Sequence, residues 1–193
     1  MVGASGTDTG KTTLSCALIE AFSKIFKVIA LKVTTAEKAG DGCHRNGEGC
    51  GACSFTEPFV LAEELDPSSG TDTSRLLAAG AERVFWLRSL RDRLSAGYEA
   101  FAKSLPPMGL VIAESNSLRE FVKPGIFVMI RNFSGPMKPS ADKVADLADV
   151  LLETDSPLDG KAARELALRI LGSPANGDFF RQFAPALPNG RGR

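Results

Sequence analysis

Between Thr12 and Phe26 apolar side chains return every three to four positions, at Leu14, Leu18, Ala21, Phe22 and Ile25. That spacing predicts an amphipathic helix. The period then changes. Val28 to Val33 is apolar but for Lys32, as expected of a short strand covered on both faces. From Thr34 to Gly70 neither period holds. Glycines at 40, 42, 47, 49 and 51 and three cysteines interrupt it, so a long irregular insert is expected there.

Regular patterning resumes at Thr71 to Ala79, a short helix with Gly80 as its stop. Val84 to Leu87 reads as a strand. Leu90, Leu94, Tyr98, Phe101 and Leu105 mark a second amphipathic helix, ended by Pro106-Pro107. Leu110 to Ala113, Ile126 to Ile130 and Val150 to Leu152 are strands of the buried type. Ser156-Pro157-Leu158-Asp159 predicts a helix start with proline at its first position. Ala163, Leu166, Ala167 and Ile170 continue that helix to Gly172. The expected organisation is one domain over 1–172, with the Gly/Cys-rich insert at about 34–70, and a flexible tail over 173–193. Strands alternating with helices imply an α/β fold of three layers, a mostly parallel sheet with helices on both faces.

Composition narrows the functional classes. The 193 residues are 44% hydrophobic and 24% charged, with 23 basic and 23 acidic side chains and zero net charge. Nothing in that balance points to a surface built for nucleic acid or anionic lipid, and neither partner is expected. No apolar run approaches the ~20 residues that span a bilayer. Met1-Val2-Gly3-Ala4 offers no basic or apolar leader, so no signal peptide and a cytoplasmic location are expected.

The chemistry is concentrated near the start. Ser5, Gly6, Thr7, Asp8, Thr9, Gly10, Lys11, Thr12 and Thr13 run directly into the first predicted helix. Glycines let a backbone curl so that N–H groups converge on phosphate oxygens, and a helix start presents its positive end to the same anion. In a Gly-Lys-Thr sequence the lysine reaches the β- and γ-phosphates and the first threonine hydroxyl ligates Mg²⁺. Lys11 and Thr12 take these roles, with a nucleoside triphosphate and Mg²⁺ as the expected ligands. Only Met1 and Val2 precede Gly3, so the strand feeding the loop is either a stub or starts upstream of residue 1. Glu114 ends an apolar strand, where ligands of parallel sheets sit. It is the second expected Mg²⁺ ligand and a candidate catalytic carboxylate beside Lys11. Lys32 and Thr34 fall on the same rim, and Asn132 ends another strand there.

These residues carry a resemblance. Ser5-Gly6 with Gly10-Lys11-Thr12-Thr13-Leu14, Leu31-Lys32 before Thr34, Gly70-Thr71-Asp72-Thr73 with Ala79-Gly80-Ala81, the strand into Glu114, and Asp155-Ser156-Pro157-Leu158-Asp159 look like the MobB family of molybdopterin-guanine dinucleotide biosynthesis. That group also holds dethiobiotin synthetase and the hydrogenase and urease GTPase chaperones. The resemblance implies a P-loop NTPase fold, binding and slow hydrolysis of GTP or ATP with Mg²⁺, and an accessory role in molybdenum-cofactor assembly. The partners expected with it are a second copy of the chain and a cofactor-biosynthesis protein. Gly6-Thr7-Asp8-Thr9 looks instead like the dethiobiotin synthetase loop, which implies an ATP-dependent ligase as the alternative. No Asn-Lys-x-Asp base-reading motif separates guanine from adenine.

The insert holds a second candidate site. Cys50 and Cys53 have the two-residue gap that lets two thiolates grip one metal. Cys43 is expected as a third ligand, and His44, the one histidine, or a group from elsewhere in the chain as a fourth. Zinc or an iron–sulfur cluster suits this set, and a nucleotide-gated metallochaperone is the corresponding function. Cys16 falls in the first helix and is expected to pack in the core. Arg88, Arg91 and Arg93 are expected to form a solvated helix start.

Overall fold

Apolar side chains on successive strand positions go to opposite faces of a sheet, and here they split the core. Val28 and Ala30 belong to one hydrophobic cluster and Ile29 and Leu31 to another. The same division separates Val84 from Phe85 and Val128 from Met129. A sheet apolar on both faces must be covered on both, which accounts for the layering below.

The computed structural model describes residues 1–37 and 57–173. Among them, β1 (Val2–Ala4), β2 (Val28–Ala36), β3 (Phe59–Glu64), β4 (Arg83–Leu90), β5 (Leu110–Glu114), β6 (Val128–Asn132) and β7 (Val150–Thr154) form one sheet. Its order is β3-β4-β2-β5-β1-β6-β7. Every pairing is parallel except that of β3 with β4. On one face lie α1 (Lys11–Phe22), α2 (Asp72–Ala78) and α5 (Gly160–Gly172), whose Leu14, Ile19, Leu76 and Ala163 are fully or almost fully buried. On the other lie α3 (Leu94–Lys103), through Leu94 and Phe101, and α4 (Pro139–Asp142), through Ala141. The expected three-layer α/β architecture is therefore the one observed. Phe101, with no exposed surface, meets Phe85 edge to face at 5.4 Å; truncating such a side chain to alanine costs about 3–5 kcal/mol.

The central position of β1 sets the site. The chain leaves β1 through α1 towards β2 on one side and later returns to β6 on the other, so β1 borders the switch point where ligands of open α/β sheets bind. The strand covers three residues here, paired to β5 only at Val2 opposite Glu114 and to β6 through Val2, Gly3 and Ala4.

Several element boundaries differ from expectation. β2 runs on to Ala36, and β3 lies inside the segment expected to be irregular. α1 ends at Phe22, followed by a turn, rather than at Phe26. Leu90 belongs to β4, and a single turn of 3₁₀ helix at Arg91–Arg93 separates it from α3. α5 is capped by Asp159, whose carboxylate accepts hydrogen bonds from the amides of Lys161 and Ala162 at 2.8 Å. Asp159 thus caps better than Ser156, and Pro157 lies before the helix rather than at its first position. No described helix is long and apolar enough to cross a membrane. The tail from 174 lies outside the described residues.

Candidate functional site

The glycine-rich loop from Ser5 to Gly10 leaves the end of β1 and is pinned from both sides. On the β5 side, the Asn116 side chain meets both polar groups of Ala4: its Oδ1 accepts from the Ala4 amide and its Nδ2 donates to the Ala4 carbonyl, each at 2.9 Å. Gly3 makes room for this, since a Cβ there would come within 2.7 Å of Asn116 Oδ1 and of the Phe127 ring. On the β6 side, the Ser5 amide donates to the Ile130 carbonyl and Ser5 Oγ accepts from the Asn132 amide at 2.9 Å. The Lys138 amide donates to the Ser5 carbonyl. Buried backbone groups that a three-residue strand cannot pair are thereby satisfied.

Backbone geometry within the loop favours anions. Asp8 has φ 53° and Gly10 φ 99°, the left-handed conformations from which nests of N–H groups are built. Gly10 could not be another residue without displacing its neighbours, because a Cβ would lie 2.6 Å from Leu158 Cβ. The Leu158 amide also donates to the Thr9 carbonyl, so the segment before α5 packs against the loop. α1 starts on Gly10 with no side-chain cap and no acidic residue in its first turn. Its first amides therefore have no intrahelical acceptor, and its positive end meets no compensating charge in that turn. Lys11 Nζ donates to the Gly6 carbonyl at 3.2 Å, folding back over the loop.

Four side chains from four elements meet beside this loop. Thr12 Oγ1, on α1, donates to Glu114 Oε2, on β5, at 3.2 Å. Lys32 Nζ, on β2, lies 3.5 Å from the same oxygen and 2.5 Å from Asp72 Oδ2, at the start of α2. Glu114 is 3% exposed, and its Oε1 has no hydrogen-bond partner among the described residues. Burial pushes the Asp72 carboxyl up, but the charge and hydrogen bond of Lys32, with Arg75 and Thr12, outweigh it and hold Asp72 below its ordinary value. A buried carboxylate oxygen without a donor costs of order 1–3 kcal/mol, and a hard cation is its natural partner. Two carboxylates and a hydroxyl supply the oxygen donors that Mg²⁺ takes when phosphates and water complete its shell, so the residues present fit the ion. Among the described residues no three His, Cys, Asp or Glu side chains are placed to hold a metal ion by themselves.

Of the residues expected at one rim, Thr12, Glu114 and Lys32 meet there, while Lys11 is turned back on the Gly6 carbonyl. Asp72 was not expected in this group. Thr34 accepts from Trp86 Nε1 at 3.0 Å, one strand further out. Asn132 spends its amide on Ser5 and its side-chain oxygen on the Ser134 amide. Cys16 is half-buried against the α1 side of the core, where burial pushes its thiol up to about 11. Arg91 is not merely solvated, since it bridges Glu37 at 2.7 Å and Glu120 at 2.8 Å. Cys43, His44, Cys50 and Cys53 lie outside the described residues. No protein-family model matches the chain, and neither does any curated protein or solved structure.

Proposed function

We propose that the chain binds a nucleoside triphosphate, GTP or ATP, together with Mg²⁺ and hydrolyses it slowly. The observation that carries this reading is the contact between the Thr12 hydroxyl and the buried carboxylate of Glu114 at the mouth of the glycine-rich loop. A Gly-Lys-Thr sequence opening a helix supplies the phosphate side, and the carboxylate beyond it supplies the metal side. In this reading the loop amides and the start of α1 hold the phosphates. Lys11 gives up the Gly6 carbonyl for a phosphate oxygen, a stronger charge-assisted contact. Thr12 and Glu114 hold Mg²⁺, with Asp72 alongside, and bound Mg²⁺ neutralises charge on the terminal phosphates. Lys32, 3.5 Å from Glu114 Oε2, helps hold that carboxylate in place.

The accompanying biological role is that of an accessory protein in molybdenum-cofactor assembly, acting as a homodimer with a biosynthetic partner. It rests on the resemblance of the motifs from Ser5 to Asp159. Titration of the full chain with fluorescent GTP and ATP, with and without Mg²⁺, tests the nucleotide reading. Mg²⁺-dependent binding of either supports it; binding of neither overturns it.

A further inference from the structure

Above the start of α2, no described element covers the α1/α2 face of the sheet. Lys32 and Thr34 on β2 and Trp86 and Arg88 on β4 emerge there in register, Lys32 beside Trp86 and Thr34 beside Arg88. Val60 and Ala62 of the edge strand β3 continue the surface, opposite Arg88 and Trp86. All six are only partly buried. By strand alternation they lie on the side of Val84, Ala30 and Glu114, not of Phe85 and Leu31. The surface is organised. The Trp86 indole N–H donates to Thr34 Oγ1 at 3.0 Å, and the Arg88 guanidinium lies 4.8 Å over the indole ring. These contacts fix the ring and hold a cation over it.

We propose that this shelf binds a second, small acidic ligand, its carboxylate or phosphate held by Arg88 and Lys32 and its apolar body against Trp86, Val60 and Ala62. The assignment rests on the nucleotide reading, because Lys32 joins the shelf to Glu114 and so places this ligand next to the terminal phosphate. The charges favour an anion. Among the described residues Arg88 and Lys32 are the cations on this surface; the carboxylates of Asp72 and Glu114 stand at its inner end, where Mg²⁺ would take up their charge, and Glu64 of β3 is turned to the Thr71 and Thr73 hydroxyls. The apolar strand positions beside Arg88 favour a ligand with a hydrocarbon or ring body over a bare inorganic ion.

Trp86 is the sole tryptophan of the chain, so its fluorescence reports on the shelf directly. With the full chain saturated by a non-hydrolysable triphosphate analogue and Mg²⁺, phenyl phosphate and benzoate are titrated as probes, with benzyl alcohol as the uncharged control. A saturable change with either anion, and none with the alcohol, is expected. The stronger of the two identifies phosphate or carboxylate as the natural group. Arg88→Gln should weaken the response roughly tenfold, the loss of one charge-assisted contact, with nucleotide affinity unchanged. Arg91→Gln, whose partners are Glu37 and Glu120, should leave it unaltered. Analogue binding without a saturable response to either anion up to about 20 mM, too weak for a specific contact, overturns the shelf and leaves the nucleotide reading intact. An equal response in Arg88→Gln does the same. Failure of the analogue to bind removes both.

Discussion

The Thr12 hydroxyl hydrogen-bonds Glu114 across 102 positions of sequence, at 3.2 Å, and so joins the first turn of α1 to the last residue of β5. This contact couples the two halves of the candidate site, the anion side built on the loop and the cation side built on the strand. Changes on either side should therefore be separable in their effects on binding and on turnover.

On the anion side, Lys11→Ala should lose roughly 1.5–3 kcal/mol of triphosphate affinity, the range for a hydrogen bond to a charged group. The fold should persist, because the Lys11 contact given above is to the Gly6 carbonyl of a surface loop. Calorimetric titration with far-ultraviolet dichroism as the fold control checks this. Affinity within about threefold of wild type, under ~1 kcal/mol, would show that the loop is not the phosphate site.

On the cation side, Glu114→Gln keeps the shape and removes the charge. Nucleotide affinity at saturating Mg²⁺ should change little, while the Mg²⁺ needed for half-maximal turnover should rise by about tenfold or more, an amide being a poor ligand for this ion. Turnover measured against Mg²⁺ concentration gives the answer. An unchanged curve would return Glu114 to the role of a buried strand end.

Two glycines of the loop should behave differently. Gly10→Ala meets a φ of 99° and a Cβ 2.6 Å from Leu158, so it should cost more than the ~1–2 kcal/mol of a left-handed residue alone. At Gly6 an added Cβ meets only the Thr9 methyl, at 3.4 Å, and stability should hold within about 0.5 kcal/mol. Urea unfolding of both variants distinguishes the sites; equal losses would mean that the packing of Leu158 on the loop is not as described.

Asp72 should make stability depend on acid. Its folded pKa lies below the ordinary 3.8, burial being outweighed by Lys32, Arg75 and Thr12. A depressed carboxyl contributes stability that is fully present above 3.8 and is lost as pH falls through the lower, folded value. Asp72→Asn should therefore be less stable than wild type at pH 6, and the gap should close as pH falls below about 3.8. Urea midpoints across that range test the sign; a gap that is constant or widens towards acid would contradict it.

How much of this was legible in the sequence depended on whether a signal was local. The loop, α1 and the apolar strands β5 and β6 announce themselves through contiguous residues, as does Glu114 at a strand end. β3 was hidden because Phe59 to Ala62 follow a glycine-rich stretch and its pairing is an antiparallel edge contact with β4, settled by register alone. Asp72 escaped for a similar reason. It reaches the site only because Lys32, 40 positions earlier, spans from β2 to the start of α2. The start of α5 was misplaced because Pro157 is a strong local cue, yet the two amide contacts of Asp159 decide where the helix begins. Leu158 is instead committed to packing on Gly10.

The pinning of the loop has a consequence in time. Ala4 waits for Asn116, 112 positions later, and Ser5 for Ile130, Asn132 and Lys138. At a synthesis rate of about 5–20 residues per second, a chain emerging from the ribosome carries its loop and α1 for many seconds before any of those anchors exists. On the proposed nucleotide reading, ligand should give the nascent chain no protection during that interval, since the contacts that shape the loop form only after β5 and β6 close on β1. A chain arrested after β2 should bind no nucleotide, and one arrested past α5 should, which makes ligand-dependent protease resistance a clock for the completion of the sheet.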